Sequence, residues 1–99
     1  MSHMKNRTYA ENQIYLTCKG LVRSVIRGKS PSGKIAKTIK NEVDKKEKYD
    51  EYLTSEDVEN MVKESYIENV EPFKNNPKIF QEKNERFIEL KKELENQGL

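Results

Sequence analysis

Apolar residues recur along the chain at steps of three and four, with charged residues between them, and this is the period of a helix buried on one side. From Ala10 to Arg27 the residues Ile14, Cys18, Leu21, Val22 and Val25 fall on one stripe, which predicts a first helix over 10–27. The run Ile14-Tyr15-Leu16-Thr17 is rich in strand formers, but the stripe continues beyond it in helical register, so helix is favoured. Gly28 suits the left-handed position that ends such a helix.

Lys29-Ser30-Pro31-Ser32-Gly33 reads as a turn, with serines placed to accept hydrogen bonds from the first free amides of a second helix. That helix is expected over 32–49, with Ile35, Ile39 and Val43 buried and Tyr49 and Leu53 extending the stripe. Glu42 and Lys46 fall toward the same side, so its second half is expected at the edge of the bundle. A third helix is predicted over 55–70, begun at Thr54 or Ser55, because a hydroxyl followed by Glu56 and Asp57 both caps the amides and puts negative charge at the positive end of the helix dipole. Val58, Met61, Val62 and Tyr66 make its inner face, Ile67 points elsewhere, and Pro72 closes the segment. Asn76 followed by Pro77 starts a last helix over 77–96, since proline at the first helical position lacks only an amide that would be unpaired anyway. Phe80, Phe87 and Leu94 repeat every seven residues with Leu90 on the same side, a seam through which two copies would pair as a homodimer. The expected fold is all-α, a small bundle of about four helices.

Composition narrows this further. The length, 99 residues, suits one domain over 4–99, with residues 1–3 of the opening Met-Ser-His-Met read as a cloning remnant. Leu, Ile, Val and Phe together make only 22 of the 99 residues, so the core should be thin. Cys18 is the single cysteine, which rules out an internal disulfide and suits a reducing, cytoplasmic setting. No apolar run approaches the roughly 20 residues of a membrane span, and no secretory signal pattern opens the chain. With the only histidine in the remnant, no catalytic residue, metal ligand set or cofactor motif is expected.

Charge is distributed unevenly. Residues 1–48 carry twelve Lys and Arg against four Asp and Glu, whereas residues 49–99 carry seven against thirteen. Between Asn12 and Asn41 there is no carboxylate, while Lys19, Arg23, Arg27, Lys29, Lys34, Lys37 and Lys40 are all basic. At about 100° per residue, Lys19, Arg23 and Arg27 line up opposite the first apolar stripe, and Lys34, Lys37, Lys40 and Lys48 do the same on the second helix. If both lines share one open face, they make the electrostatic footprint of a phosphate-backbone binder, with Arg23 and Arg27 able to make forked contacts and Tyr15 nearest for base stacking. Ser30, Ser32 and the free amides beside them offer an added phosphate contact. The competing reading is that the acidic line of the third helix, Glu56, Asp57, Glu64, Glu68 and Glu71, lies against the basic lines and neutralises them.

Other patterns carry less. Gly28 to Lys34 matches the opening of the phosphate-loop pattern, but Ile35 stands where a magnesium-holding hydroxyl belongs, and no strand precedes the loop. The turn between the first two helices is longer than that of a helix-turn-helix reader. Glu82, Glu85, Glu89 and Glu93 are spaced as metal ligands in bundles are, yet they face away from Phe80 and Phe87, as solvated residues do. Cys18 sits on the apolar face with no base to activate it.

These features lead to a non-catalytic regulatory or accessory protein that binds nucleic acid, DNA or RNA, through the basic surface of the first two helices. The alternative is a protein-binding module, an inhibitor, immunity-type or adaptor bundle, that docks on a larger protein through Glu64, Ile67, Glu68 and Glu71 or through the last helix. Small size and richness in Lys, Glu and Asn would suit a phage or mobile-element protein.

Overall fold

A computed structural model describes residues 8–45 and 53–99. The described residues form four α-helices, with no strand among them: α1 over Tyr9–Ile26, α2 over Ser32–Asp44, α3 over Ser55–Asn69 and α4 over Pro77–Asn96, with a short 3-10 turn, Glu71–Phe73, between α3 and α4. The all-α bundle follows from amphipathic stripes that are each closed by a local stop or start signal.

Those signals can be traced atom by atom. Thr8 and Glu11 form a reciprocal capping box at the head of α1, with the Glu11 amide donating to Thr8 Oγ1 at 3.1 Å and the Thr8 amide to Glu11 Oε1 at 3.0 Å. Thr54 and Asp57 repeat it at α3. Asn76 accepts from the Ile79 amide at the head of α4, and Pro77 takes the first helical position. At the other end of α1, Gly28 adopts φ +79°, which lets the Gly28 amide donate to the Val25 carbonyl and the Lys29 amide to that of Ser24. This pair of bonds satisfies carbonyls that the helix itself leaves open.

Two expectations are corrected here. The second helix ends at Asp44 rather than 49, with Lys45 as its closing residue; the expected continuation through Lys46, Lys48 and Tyr49 lies outside the described residues. Nor do the serines cap α2. Its N-cap is Pro31, which has no side chain able to accept, and the Ser30 hydroxyl is instead 2.9 Å from that of Ser24.

Helix α1 is the hub. It packs chiefly along α3 and also touches α4 and α2, α2 lies on α4, and α3 and α4 meet only sparingly. The molecule measures 43 × 30 × 19 Å, and the short dimension is about two helix diameters. The core joins Cys18, Val22 and Ile26 of α1 to Ala36 and Ile39 of α2, Met61 of α3 and Leu90 of α4, all fully or almost fully buried, and Leu53 and Val70 close it from the connections. In the α4 seam Leu90 and Leu94 are buried within the molecule, while Phe80 and Phe87 are half-buried. No helix is long and apolar enough to cross a membrane among the described residues.

Candidate functional site

Of the seven basic residues read from the sequence, Lys19, Arg27 and Lys40 have side-chain partners within the molecule. Because α1 packs along α3, two residues of its line, Lys19 and Arg27, reach the third helix, whereas Arg23 is exposed. Lys19 Nζ lies 3.0 Å from Glu68 Oε2 and 3.3 Å from Glu64 Oε1. Partial burial pulls the Lys19 ammonium down, but the hydrogen bonds it donates to Glu68 and Glu64, together with their charges, outweigh it and hold the group above its ordinary range. Three residues of the basic and acidic lines, Lys19 with Glu64 and Glu68, are thus paired with one another, and Lys19 is withdrawn from any outside partner. Arg27 Nε donates to Asn69 Oδ1 at 3.3 Å, and Lys40 pairs with Asp44 one turn on at 3.2 Å. Arg23, Lys29, Lys34 and Lys37 are exposed and form no ion pair with a described residue.

Tyr15, the residue placed for stacking, is buried, with its hydroxyl donating to Glu64 Oε1 at 2.9 Å. Its ring belongs to the α1–α3 contact and is not presented to a base. In the acidic set, Glu64 and Glu68 are therefore engaged with α1, Glu71 is exposed at the start of the 3-10 turn, and Ile67 is 51% exposed.

Two features were not read from the sequence. The first is cationic: the charges of Arg27 and Arg86 both bear on Lys83 of α4, whose Nζ sits 5.2 Å from the Phe73 ring centroid. Burial lowers the Lys83 ammonium below its ordinary value, the charges of Arg27 and Arg86 lower it further, and Glu82 only partly offsets them. Arg86 crosses to the end of α1, where Nη1 donates to the Ile26 carbonyl at 3.4 Å. Neither residue stands out in a chain half that is acidic overall, because Glu82, Glu85 and Glu89 flank them.

The second is a groove between α3 and α4, about 670 Å³, lined on one wall by Val58, Val62, Tyr66 and Ile67 and on the other by Phe87 and Leu94, with Leu99 at one end. Its floor is the contact of Tyr66 and Phe87, whose ring centroids are 4.5 Å apart and tilted by 50°. Lys91 Nζ sits 5.7 Å from the Phe87 centroid. Ile88, 56% exposed, extends the apolar surface on the α4 side. The groove lies between two helices that touch only sparingly, a relationship between elements that periodicity within each cannot reveal.

The chain matches no protein-family model, no curated protein and no solved structure. The functional reading therefore rests on the two surfaces just described.

Proposed function

We propose that the chain is a non-catalytic binding module whose α3–α4 groove receives an amphipathic helix of a larger protein. The observation carrying this reading is an open apolar trough with an aromatic floor and two half-exposed isoleucines at its margin, a surface that costs free energy to leave in water. From Ser55 to Ile67 the trough follows α3 for about 18 Å at 1.5 Å per residue, the length of a little over three helical turns. Charges favour one sort of occupant: Lys63 and Lys91 flank the Tyr66–Phe87 stretch, and Glu59 and Glu95 flank the Leu94 end. A helix with an apolar stripe at i, i+4 and i+7, acidic residues toward the first stretch and basic ones toward the second, fits both features.

The test is a photo-crosslinking residue placed at position 67, with one at position 37 on the opposite system of charges as control, in the full chain expressed in its host. One protein crosslinked from position 67 through a helical segment, and not captured by a chain carrying Leu94-side charge reversals at Glu59 and Glu95, is the expected result. Equal capture from both positions, crosslinks only to a second copy, or no crosslink at all would overturn the reading. Ile67 is exposed, so Ile67→Asp provides a folded control that should lose the partner.

A second reading retains nucleic acid, supported by Arg23, Lys29, Lys34 and Lys37, which are exposed and form no ion pair with a described residue. On this reading the binding face is Arg23, Arg27, Lys29, Lys34 and Lys37 with Lys83 and Arg86 added, and Lys19 and Lys40 removed. Binding to labelled duplex and single strands should then weaken steeply with added salt and drop on Arg23→Glu with Arg27→Glu; retention unchanged by that pair would dismiss it.

A further inference from the structure

Helices α3 and α4 run in opposite directions past one another, since Tyr66 of α3 meets Phe87 of α4 while Phe73, beyond the end of α3, meets Lys83, earlier on α4. The groove between them is thus the open side of an antiparallel helix pair that α1 and α2 back from behind. Two such pairs laid groove to groove make a four-helix bundle, in which each groove becomes half of a shared core.

Four exposed charges stand on the lips of this groove in two tiers. Glu59 of α3 and Glu95 of α4 lie toward the end formed by Ser55 and Leu99, and Lys63 and Lys91 lie about 6 Å further along, toward Tyr66 and Phe87. None of the four forms an ion pair with a described residue, although Glu59 and Lys63, like Lys91 and Glu95, share one side of their helix. The pattern is complementary to itself. A second copy turned end for end, about a two-fold axis that crosses the groove midway between the tiers, sets Glu59 against Lys63 and Lys91 against Glu95 of the other copy. A two-fold axis running along the groove instead sets Glu59 against Glu95 and Lys63 against Lys91, and like charges oppose it.

Shape makes the same choice. Rings fill one end of the groove, Tyr66 on Phe87, whereas Ser55 and Val58 with Leu99 line the other. End-for-end pairing lays the bulky end of each copy on the less filled end of the other, and the competing arrangement lays ring on ring. Tyr66, Phe87 and Leu99 are half-buried and Ile67 is 51% exposed, so apolar surface is left for a second copy to cover. Leu90 and Leu94 are already buried within the chain, and the seven-residue seam read from the sequence contributes chiefly Phe87.

We propose that, when no partner helix fills it, the α3–α4 groove is covered by the same groove of a second copy, turned end for end, in a two-fold dimer whose shared core is a bundle of α3 and α4 from both chains. The inference rests on the helix-docking reading of that groove and adds its regulation: a partner helix has to displace the second copy, so only the dissociated chain is competent to bind. Exposed lip charges contribute little energy each; they choose the orientation, and the apolar lining supplies the attraction.

Sedimentation velocity of the full chain, over a concentration series at low salt, should show a reversible monomer–dimer equilibrium. Reversal of the basic tier, Lys63→Glu with Lys91→Glu, and of the acidic tier, Glu59→Lys with Glu95→Lys, should each raise the dimer dissociation constant by about tenfold, with helix content by circular dichroism unchanged. Mixed in equal amounts, the two reversed chains should bind each other more tightly than either binds itself, because the lips of one are then acidic and those of the other basic. Orientation is read by oxidation: Glu59→Cys chains should form disulfides with Lys63→Cys chains faster than with Glu95→Cys chains, and the opposite order rejects the end-for-end pairing. A monomer at every concentration, or a dimer indifferent to both reversals, defeats the proposal. A monomeric chain that position 67 still crosslinks to one other protein in the host removes the self-pairing alone, and a dimer whose crosslinks reach only the second copy removes the partner reading alone.

Discussion

Gly28 and Arg86 occupy one space: a Cβ on the glycine would meet Cζ, Nη1 and Nη2 of the arginine at 2.7, 2.9 and 3.0 Å. The backbone there is at φ +79°, so a side chain at this position is both strained in itself and in collision with a guanidinium that closes the end of α1.

Gly28→Ala should therefore destabilise the fold by about 1–3 kcal/mol, the combined scale of a left-handed alanine and a displaced neighbour. Gly98 supplies the comparison, since it has φ +86° with nothing within 4 Å of an added Cβ. Gly98→Ala should cost about 1 kcal/mol or less. Urea unfolding of both variants measures the difference, and equal losses would show that the Arg86 contact adds nothing to the backbone term.

Ser65 is fully buried on α3, and its Oγ has no hydrogen-bond partner, although its carbonyl accepts from Asn69 Nδ2 at 3.0 Å. Ser65→Ala removes a desolvated hydroxyl and improves helix propensity while leaving that carbonyl in place. It should stabilise the protein by about 1 kcal/mol, read as a higher urea midpoint with unchanged slope. A loss of stability would mean that the hydroxyl has a partner in solution.

Cys18 is fully buried, and that burial, reinforced by the charge of Glu42 and partly offset by Lys45, pushes its thiol up to about 12. In the unfolded chain the thiol ionises at its ordinary value near 9.0, so from about there upward the unfolded state sheds a proton that the folded state keeps. The stability tied to Cys18 is thus complete below pH 9 and is lost as pH rises toward 12. Lys19, also held above its ordinary 10.5, loses its contribution in the same direction as pH rises past that value. Stability should fall monotonically on the alkaline side of pH 9, and Cys18→Ala should flatten the first part of that fall. At neutral pH a disulfide reagent should modify Cys18 at the rate of global unfolding; rapid modification of the native protein would contradict its burial.

Much of the fold was legible along the chain because it is decided within a few residues. The capping hydroxyl of Thr54, the Asn76-Pro77 start, the left-handed Gly28 and the three- and four-residue stripes through Val22 and Leu90 each act on their own turn of helix. Local rules failed where two signals competed. Serines flanking Pro31 look like caps, yet Ser30 found Ser24 and the proline took the cap position, leaving the α2 amides open.

The candidate surfaces are another matter. The sequence by itself determined that the chain forms amphipathic helices, that its first half is basic and its second acidic, and that Ile67 falls off the buried stripe. Only the tertiary structure decided that Lys19 would be spent on Glu64 and Glu68, forty-nine residues away by the Lys19–Glu68 hydrogen bond, that Tyr15 would be buried, and that Arg86 would arrive over Gly28 from an otherwise acidic helix. The physical reason is that periodicity fixes which side of each helix avoids water, but which neighbour that side meets, and whose charges then fall within a few ångströms, depends on how helices distant in sequence pack together.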